Sequence, residues 1–485
     1  MVATVAGVRI PEEHWIDGSW VGSPARFLDH SPLDEEPVAE LARGGAAEID
    51  AAVQAAHRAF RHFSRTTREE RAALLHAIAE EVLRRLDHLA AVETVDSGGL
   101  LRTHLRVTLP KVAHVFRFFA DRLLELHHPD FHLRAHRNHV SWEPAGVCGL
   151  ITPWNTPLFH AAWRLAPALA AGNTVVLKPP AWAPLTAALL CRVAADAGLP
   201  DGVLNLVHGT GDEAGAALAA HPRLARLAFT GAARTGRLVA AAAGQRLTPV
   251  SLELGGSSPL VVFADCELDR AVAVAVGQYD HAGQGCLSAT RLLVEQSAAE
   301  EFTTRFLLRA NTLRQGDPRD VRTDVGPQIH REHLDRVDAA VSGALAAGAR
   351  PLLGGRRNDR LGGLYYRPTL LANPPPGAEV LTEEVLGPVL TLQTFTTETE
   401  ALALANDGRH GLAATVFTGS PDRARRVAGA LAAGTVWVNC SGIRDLRAPY
   451  GGARESGIGR GGGQWSFDFF CDVKNSVFSP DGWSG

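Results

Sequence analysis

The run VCGLITPWNTPLFHAAWRLAPALAAGNTVVLKPP, residues 147–180, decides the fold. A short apolar stretch (147–151) gives way to an Ala/Leu-rich helical run (160–172), and a second short apolar stretch (174–178) follows. The alternation continues outward through VLNLVHG (203–209) and RLARLAFTG (223–231). PLTAALLCRVAADAG (184–198), EAGAALAAH (213–221) and TGRLVAAAAG (235–244) supply the helical partners. Strands apolar on both faces and separated by helices predict a parallel sheet covered on both sides. The same texture resumes with PLVVFADC (259–266), LDRAVAVAVGQYDHAG (268–283) and RLLVEQS (291–297), which predicts a second α/β unit.

Upstream, Thr66-Thr67-Arg68-Glu69-Glu70 forms a capping box. Leu74, Leu75, Ile78, Val82, Leu86 and Leu89 follow at helical spacing, and Gly98-Gly99 stops the run, so one amphipathic helix is expected there. A further helix is expected over 110–126, an exposed strand at HRNHVSWEP (136–144), and a surface loop at 351–363. The 485 residues carry a prior of roughly three domains. A composition of 46% hydrophobic and 21% charged residues excludes a mostly disordered chain. Forty-eight basic against 52 acidic residues leave a net charge of −4, which argues against nucleic acid as a partner. No apolar run approaches the ~18 residues of a membrane span, and the start MVATVAGVRIPEEHW has no secretory pattern. The six cysteines are scattered, so no metal site and no disulfide scaffold are expected, and the cytoplasm is the expected location.

Three residues stand out chemically. Cys286 closes His281-Ala282-Gly283-Gln284-Gly285-Cys286, where glycines let a ligand approach the sulfur. A thiol is weakly ionised at neutral pH, yet its thiolate is a strong nucleophile; the other reading is a turn ending in a buried cysteine. Glu253, in Leu252-Glu253-Leu254-Gly255-Gly256, sits among apolar neighbours. Left unpaired it would suit a general base; paired, it would be a structural acid. Asn155, in Thr152-Pro153-Trp154-Asn155-Thr156-Pro157, lies at a strand mouth, where ligands of open parallel sheets collect and an amide can hold an oxyanion. Lys178 ends the TVVLK strand. Thr230-Gly231 precedes a helix whose N–H groups suit phosphate, and His208-Gly209-Thr210-Gly211 is a glycine turn, although the G-x-G-x-x-G fingerprint is missing.

In order, PWN, VVLKP, FTG, LELGG, GQGC and Glu383-Glu384-Val385-Leu386-Gly387-Pro388 resemble the aldehyde dehydrogenase superfamily over nearly the whole chain. WVNCSGIRDLRAPYGGARESGIGR and GGQWSFDFFCDVKN are similar to its 2-hydroxymuconic and 5-carboxymethyl-2-hydroxymuconic semialdehyde branch, which serves aromatic degradation. The resemblance implies two Rossmann-type parallel α/β domains plus a small β oligomerisation arm. The cofactor-binding domain would comprise 1–126 and 144–255, the catalytic domain 256–458, and the oligomerisation strands 127–143 and 472–481. It also implies NAD(P)-dependent oxidation of an aldehyde to its acid, with NAD slightly favoured. Cys286 would be the nucleophile, Asn155 the oxyanion donor and Glu253 the base toward water. Trp154, Lys178, Gly211, Thr230, Gly231, Leu254, Gly255 and Glu384 would contact the cofactor. The partners implied are a small aldehyde and further copies of the chain, in a dimer or tetramer, with no nucleic acid and no membrane.

Several positions depart from the family. Ala181 replaces a glutamate that grips the adenine ribose in many NAD-preferring members, which leaves NAD against NADP open. Ala232 replaces the serine after FTG, Leu386 a phenylalanine, Ser257 a frequent lysine, and Gln464 a second glutamate of some members. Arg444 and Arg447 in IRDLR, with Arg102 or Arg106, offer guanidinium forks for the carboxylate of an acidic semialdehyde. Solvent-facing arginines with Asp445 as partner are the equally weighted alternative. The competing functions are a thiol-dependent esterase and a catalytically weakened paralogue with a degraded cofactor pocket.

Overall fold

The structure is a computed structural model that describes residues 2–479. Its centre is an eight-stranded sheet ordered Gly457–Ile458, Val250–Leu254, Arg226–Gly231, Val147–Ile151, Thr174–Lys178, Leu204–Leu206, His14–Ile16 and Ser19–Val21. The five strands from Val250–Leu254 to Leu204–Leu206 run parallel, and the flanking ones antiparallel. The uniformly apolar strands resolve into two faces by the two-residue period of a strand. Cys148, Leu150, Val175 and Leu177 pack into one buried cluster with the helices Arg68–Arg84, Leu109–Leu124 and Pro157–Ala170. Val147, Ile151 and Val176 face the opposite cluster, closed by Ala46–Phe63 and Ala233–Gly244. Truncating any of these leucines to alanine costs about 2–5 kcal/mol in a core packed on both sides.

The second sheet has seven strands in the order Arg350–Leu353, Thr369–Ala372, Val389–Phe395, Arg291–Glu295, Pro259–Val262, Ala413–Phe417 and Thr435–Val438, parallel except at the first pair. Arg350–Leu353 is therefore an edge strand where the Gly/Pro/Arg-rich composition predicted only a loop. Gly457–Ile458, expected in the catalytic domain, instead edges the first sheet beside Leu252 and Glu253.

A third, antiparallel sheet joins Cys471–Phe478, His136–Pro144 and Asp130–Leu133, in register from Cys471 opposite Pro144 to Phe478 opposite Arg137. The predicted strand HRNHVSWEP is the middle one. Residues 480 and 481 of the expected arm lie outside the described residues.

The helix expected from Thr67 to Gly98 is two helices. Thr67 caps the first, Arg68–Arg84, reciprocally with Glu70, and Gly98, at φ 72°, ends the second, Leu86–Ser97. Between them Arg85 leaves helical geometry (φ −105°, ψ 15°) and reaches the buried Glu81 and Asp196. The helix expected over 110–126 is Leu109–Leu124, entered through a wide turn at His104–Thr108. Among the described residues no helix is long and apolar enough to cross a membrane.

Candidate active site

Cys286 stands on the loop between the helix Leu268–Gly277 and the strand Arg291–Glu295. Three consecutive residues before it, His281, Ala282 and Gly283, take left-handed backbone angles (φ 52°, 54° and 73°). Such angles are strained for residues with a Cβ and persist only where surroundings over-determine them. Here they do. Gln328 Nε2 donates to the Ala282 carbonyl (3.1 Å), and Ile329 N–H donates to Gln284 Oε1 (2.9 Å). A Cβ on Gly283 would lie 2.0 Å from the Gly387 carbonyl oxygen, so the glycine is required.

Cys286 lies where two cavities meet, together with Asn155, His160 and Tyr450. The first, of about 290 Å³, opens over the carboxyl ends of the first sheet's strands. Glu253 and Leu254 reach it from Val250–Leu254, Thr230 and Gly231 from Arg226–Gly231, and Trp154 from the loop after Val147–Ile151. Gly255 and Glu384 also line it. A Cβ on Gly255 would sit 1.8 Å from Glu384 Oε2, and Glu384 Oε1 accepts from Gly256 N–H at 3.2 Å. Burial pushes the Glu384 carboxyl up to about 8. Lys178 and Gly211 are not among the lining residues of this cavity. Lys178 is buried at the end of its strand, its ammonium drawn down to about 8 by burial, and Gly211 is exposed at the start of a wide turn.

The residues of this cavity fit a dinucleotide. Ala232 is the N-cap of Ala233–Gly244 and contributes no side-chain acceptor, so the first-turn N–H groups of a three-turn helix are left for an anion. Trp154, Leu254 and Leu386 give apolar walls, and Arg336 adds a cation.

Glu253 and Asn155 carry distinct sets of bonds. Glu253 Oε1 accepts from Trp163 Nε1 (3.0 Å) and pairs with Arg164 Nη2 (3.1 Å), so both partners fall on one oxygen and Oε2 carries neither. Its carboxylate is thus paired, where the sequence left pairing open. Asn155 Nδ2 donates one hydrogen to the Gln284 carbonyl (2.8 Å), and the His281 ring reaches the Asn155 carbonyl. The amide's second hydrogen is uncommitted. Burial, reinforced by Glu384 and Glu253, pushes the Cys286 thiol up to about 12; a hydrogen bond with Tyr450 and the charge of Arg444 oppose it. The thiol is protonated at neutral pH and needs a base to become a nucleophile.

The second cavity, of about 320 Å³, lies on the other side of the sulfur. Its walls include Phe159, Leu287 and Leu446, with Arg444, Lys111 and His114 as basic groups; among the described residues no Asp or Glu lines it. Arg444 is clamped between aromatic rings, its guanidinium carbon 3.8 Å from the Trp163 centroid and 3.7 Å from that of Tyr450. Its Nε and Nη2 are buried without a hydrogen-bond partner.

The other arginines expected to clamp a carboxylate do not reach this cavity. Arg447 has a side chain 80% exposed and forks onto Asp445 (Nη2 to Oδ2, 2.6 Å). Arg102 pairs with Asp324 (2.8 Å) and the Val321 carbonyl (2.9 Å), and Arg106 is exposed. Loop arginines three residues apart share no defined face; the aromatic pair decides that Arg444 turns inward and Arg447 outward. Sequence reading missed His160, Tyr450, Trp163, Arg164, Lys111 and His114. Only Tyr450, inside the quoted APYGG run, carried any signal.

A half-buried cysteine between a cleft that fits a nucleotide and a second pocket, with a carboxylate and an amide beside it, defines a nucleotide-dependent oxidoreductase that works through a thiol. Comparison with known proteins makes the class specific. The sequence model of the Aldehyde dehydrogenase family matches residues 20–476, and the chain belongs to that family. It is an NAD(P)-dependent aldehyde dehydrogenase. It is 40% identical over 477 residues to the 2-hydroxymuconic semialdehyde dehydrogenase of Pseudomonas sp. (strain CF600), covering 96% of this chain and 98% of that one. It is 39% identical to the chloroplastic betaine aldehyde dehydrogenase of Beta vulgaris, covering 97% of each. The crystal structure of the Staphylococcus aureus betaine aldehyde dehydrogenase in complex with NAD+ superposes with a TM-score of 0.95 at 34% identity, covering 98% of this chain and 96% of that one.

Proposed function

We propose that this enzyme oxidises an acidic semialdehyde of the hydroxymuconic type to the dicarboxylic acid, with Cys286 as nucleophile, Asn155 and the Cys286 N–H as oxyanion donors, and Glu253 as base. The observation that carries the substrate reading is Arg444. Two of its buried nitrogens lack partners in a pocket without a carboxylate, and a substrate carboxylate supplies the missing acceptors. A quaternary-ammonium aldehyde, as the name of the Beta vulgaris relative suggests for that protein, would meet Arg444 and Lys111 as like charges.

The Glu253 carboxylate takes the Cys286 proton, and the thiolate adds to the aldehyde carbon. Negative charge moves to the oxygen, where the free Asn155 N–H and the Cys286 backbone N–H receive it. A nicotinamide cofactor held in the first cavity would supply the hydride acceptor. Once Glu253 has released the thiol proton to solvent, its carboxylate, with Oε2 clear of Trp163 and Arg164, deprotonates the water that cleaves the remaining Cys286 thioester, and the departing thiolate is reprotonated. Trp154, Thr230, Gly231, Leu254, Gly255 and Glu384 hold the cofactor, with NAD ahead of NADP.

In the domain division we propose, 1–126 and 144–255 form the cofactor unit, residues from 256 to the Thr435–Val438 strand and its loops the catalytic unit, and the third sheet a subunit-pairing arm. Phe131, Leu133, Val473 and Val477 on that arm are exposed, an edge liability that a second copy would cover in a dimer or tetramer. Six unpaired thiols suit the cytoplasm.

The test compares kcat/KM for 2-hydroxymuconic semialdehyde, a neutral aliphatic aldehyde and betaine aldehyde in wild type, Arg444→Met and Arg447→Ala. The acidic substrate should lead in wild type and lose about 100-fold more than the neutral one in Arg444→Met, in line with ~2–3 kcal/mol for a charge-assisted bond. Arg447→Ala should match wild type. Equal losses on acidic and neutral aldehydes in Arg444→Met would remove the carboxylate reading.

A further inference from the structure

We propose that Tyr450 is a further catalytic residue: its hydroxyl donates a hydrogen bond to the Cys286 sulfur and stabilises the thiolate, with the Arg444 guanidinium on its ring adding positive charge behind it. The proposal rests on the reading of Cys286 as the nucleophile.

Tyr450 and Cys286 together line both cavities, so the phenol stands at the sulfur whichever side a ligand enters. The two side chains act on each other directly: the Tyr450 hydroxyl lowers the thiol, and the thiol raises the phenol. The position is built from the backbone up. Tyr450 N–H donates to the Gly461 carbonyl (2.8 Å) and Gly461 N–H to the Tyr450 carbonyl (2.7 Å), an isolated antiparallel bridge that fixes the residue. Trp163 meets the ring edge-on at 6.3 Å, and Arg444 covers a face at 3.7 Å. A cation on the face of a phenol makes its hydroxyl a stronger donor.

The groups around the sulfur otherwise disfavour its anion. Glu253 on the Val250–Leu254 strand and Glu384 beyond the Glu379–Thr382 helix both raise the thiol. His160 on Pro157–Ala170 is held neutral by burial, which draws it down to about 4. His333, Arg336 and Glu379 line the first cavity farther along. Tyr450 and Arg444 are what favours the charged sulfur. When the thiol proton passes to Glu253, the sulfur anion keeps the Tyr450 hydrogen bond. When the C–S bond forms, the sulfur becomes neutral and its charge moves to the substrate oxygen, so the contribution falls on thiolate formation and not on thioester hydrolysis.

Tyr450→Phe keeps the ring, the Arg444 stack and the Gly461 bridge while removing the hydroxyl. The rate of Cys286 alkylation by iodoacetamide is measured from pH 7 to 10 by mass spectrometry of the Cys286 peptide, so that the half-exposed Cys266 and Cys440 do not contribute. The variant's profile should move to higher pH by about one unit, a roughly tenfold slower reaction at each pH, with thermal midpoint and NAD affinity unchanged. A profile that superimposes on wild type overturns the proposal. Cofactor reduction by Cys286→Ala would overturn the nucleophile assignment itself, and the Tyr450 proposal with it. An inactive Cys286→Ala beside a wild-type alkylation profile in Tyr450→Phe would sink the Tyr450 role alone.

Discussion

The Glu253 carboxylate meets the Arg164 guanidinium at 3.1 Å, with both side chains all but sealed from solvent. Each charge justifies the other's burial. Arg164 also reaches Ser251 Oγ (3.2 Å) and Thr230 Oγ1 (3.5 Å), so it ties Glu253 to the strand that borders the nucleotide cleft.

Removing one partner of such a pair leaves an uncompensated buried charge, which costs about 3–5 kcal/mol. Arg164→Met should therefore unfold at markedly lower denaturant concentration than wild type. A double variant, Arg164→Met with Glu253→Gln, should recover much of that loss because the stranded charge is gone. Equilibrium denaturation of the three proteins checks this, and equal midpoints for the single variant and wild type would contradict it.

The nucleophile loop makes a sharper demand on one residue. Gly283 combines φ 73° with a Cβ position 2.0 Å from the Gly387 carbonyl oxygen, so neither its angle nor its neighbour admits a side chain. Gly283→Ala should cost at least ~2 kcal/mol of stability and lower kcat by more than tenfold through displacement of Cys286. Gly277→Ala, where a Cβ meets nothing within 4 Å on the helix leading into the same loop, should leave both nearly unchanged. Denaturation midpoints and initial rates of the two variants separate these outcomes.

A buried acid sets a pH dependence of stability. Burial pushes Glu93 up to about 8, although Leu158 N–H (3.3 Å) and the Thr186 hydroxyl donate to it. The native state holds this proton between the ordinary carboxylate range and about pH 8, while the unfolded chain releases it. This contribution is fully present below the unfolded-state pKa of ~4.3 and is lost as pH rises toward 8. Glu93→Gln abolishes the ionisation, so its stability should fall less steeply from pH 5 to 8 than that of wild type, as read from thermal midpoints across that range. Parallel curves would contradict the assignment.

Much of the site was legible because its chemistry sits at strand ends inside short, type-specific runs. Asn155 after VCGLI, Glu253 in LELGG and Cys286 in GQGC could be placed before any packing was known. What escaped depends on tertiary contact. Arg164 and Trp163 look like two positions of an ordinary helix until Glu253, some ninety residues away, reaches them. Arg444 and Arg447 are chemically equivalent in sequence, and only the rings of Trp163 and Tyr450 tell them apart. The break at Arg85 was hidden for the same reason, since the apolar spacing runs through it while Glu81 and Asp196 draw its side chain aside.

The central claim is that Cys286 carries the substrate covalently and that Glu253 releases it. Mixing Glu253→Gln with NAD+ and an excess of the acidic semialdehyde, with absorbance followed on the millisecond scale and the protein then weighed intact, tests it most directly. The account predicts one equivalent of reduced cofactor per site, formed more slowly than in wild type because the thiol has lost its base, then a later rate at least ~100-fold below wild type, and a mass increase by one acyl group on Cys286. Sustained turnover at the wild-type rate, or a burst with no mass added at Cys286, would contradict it.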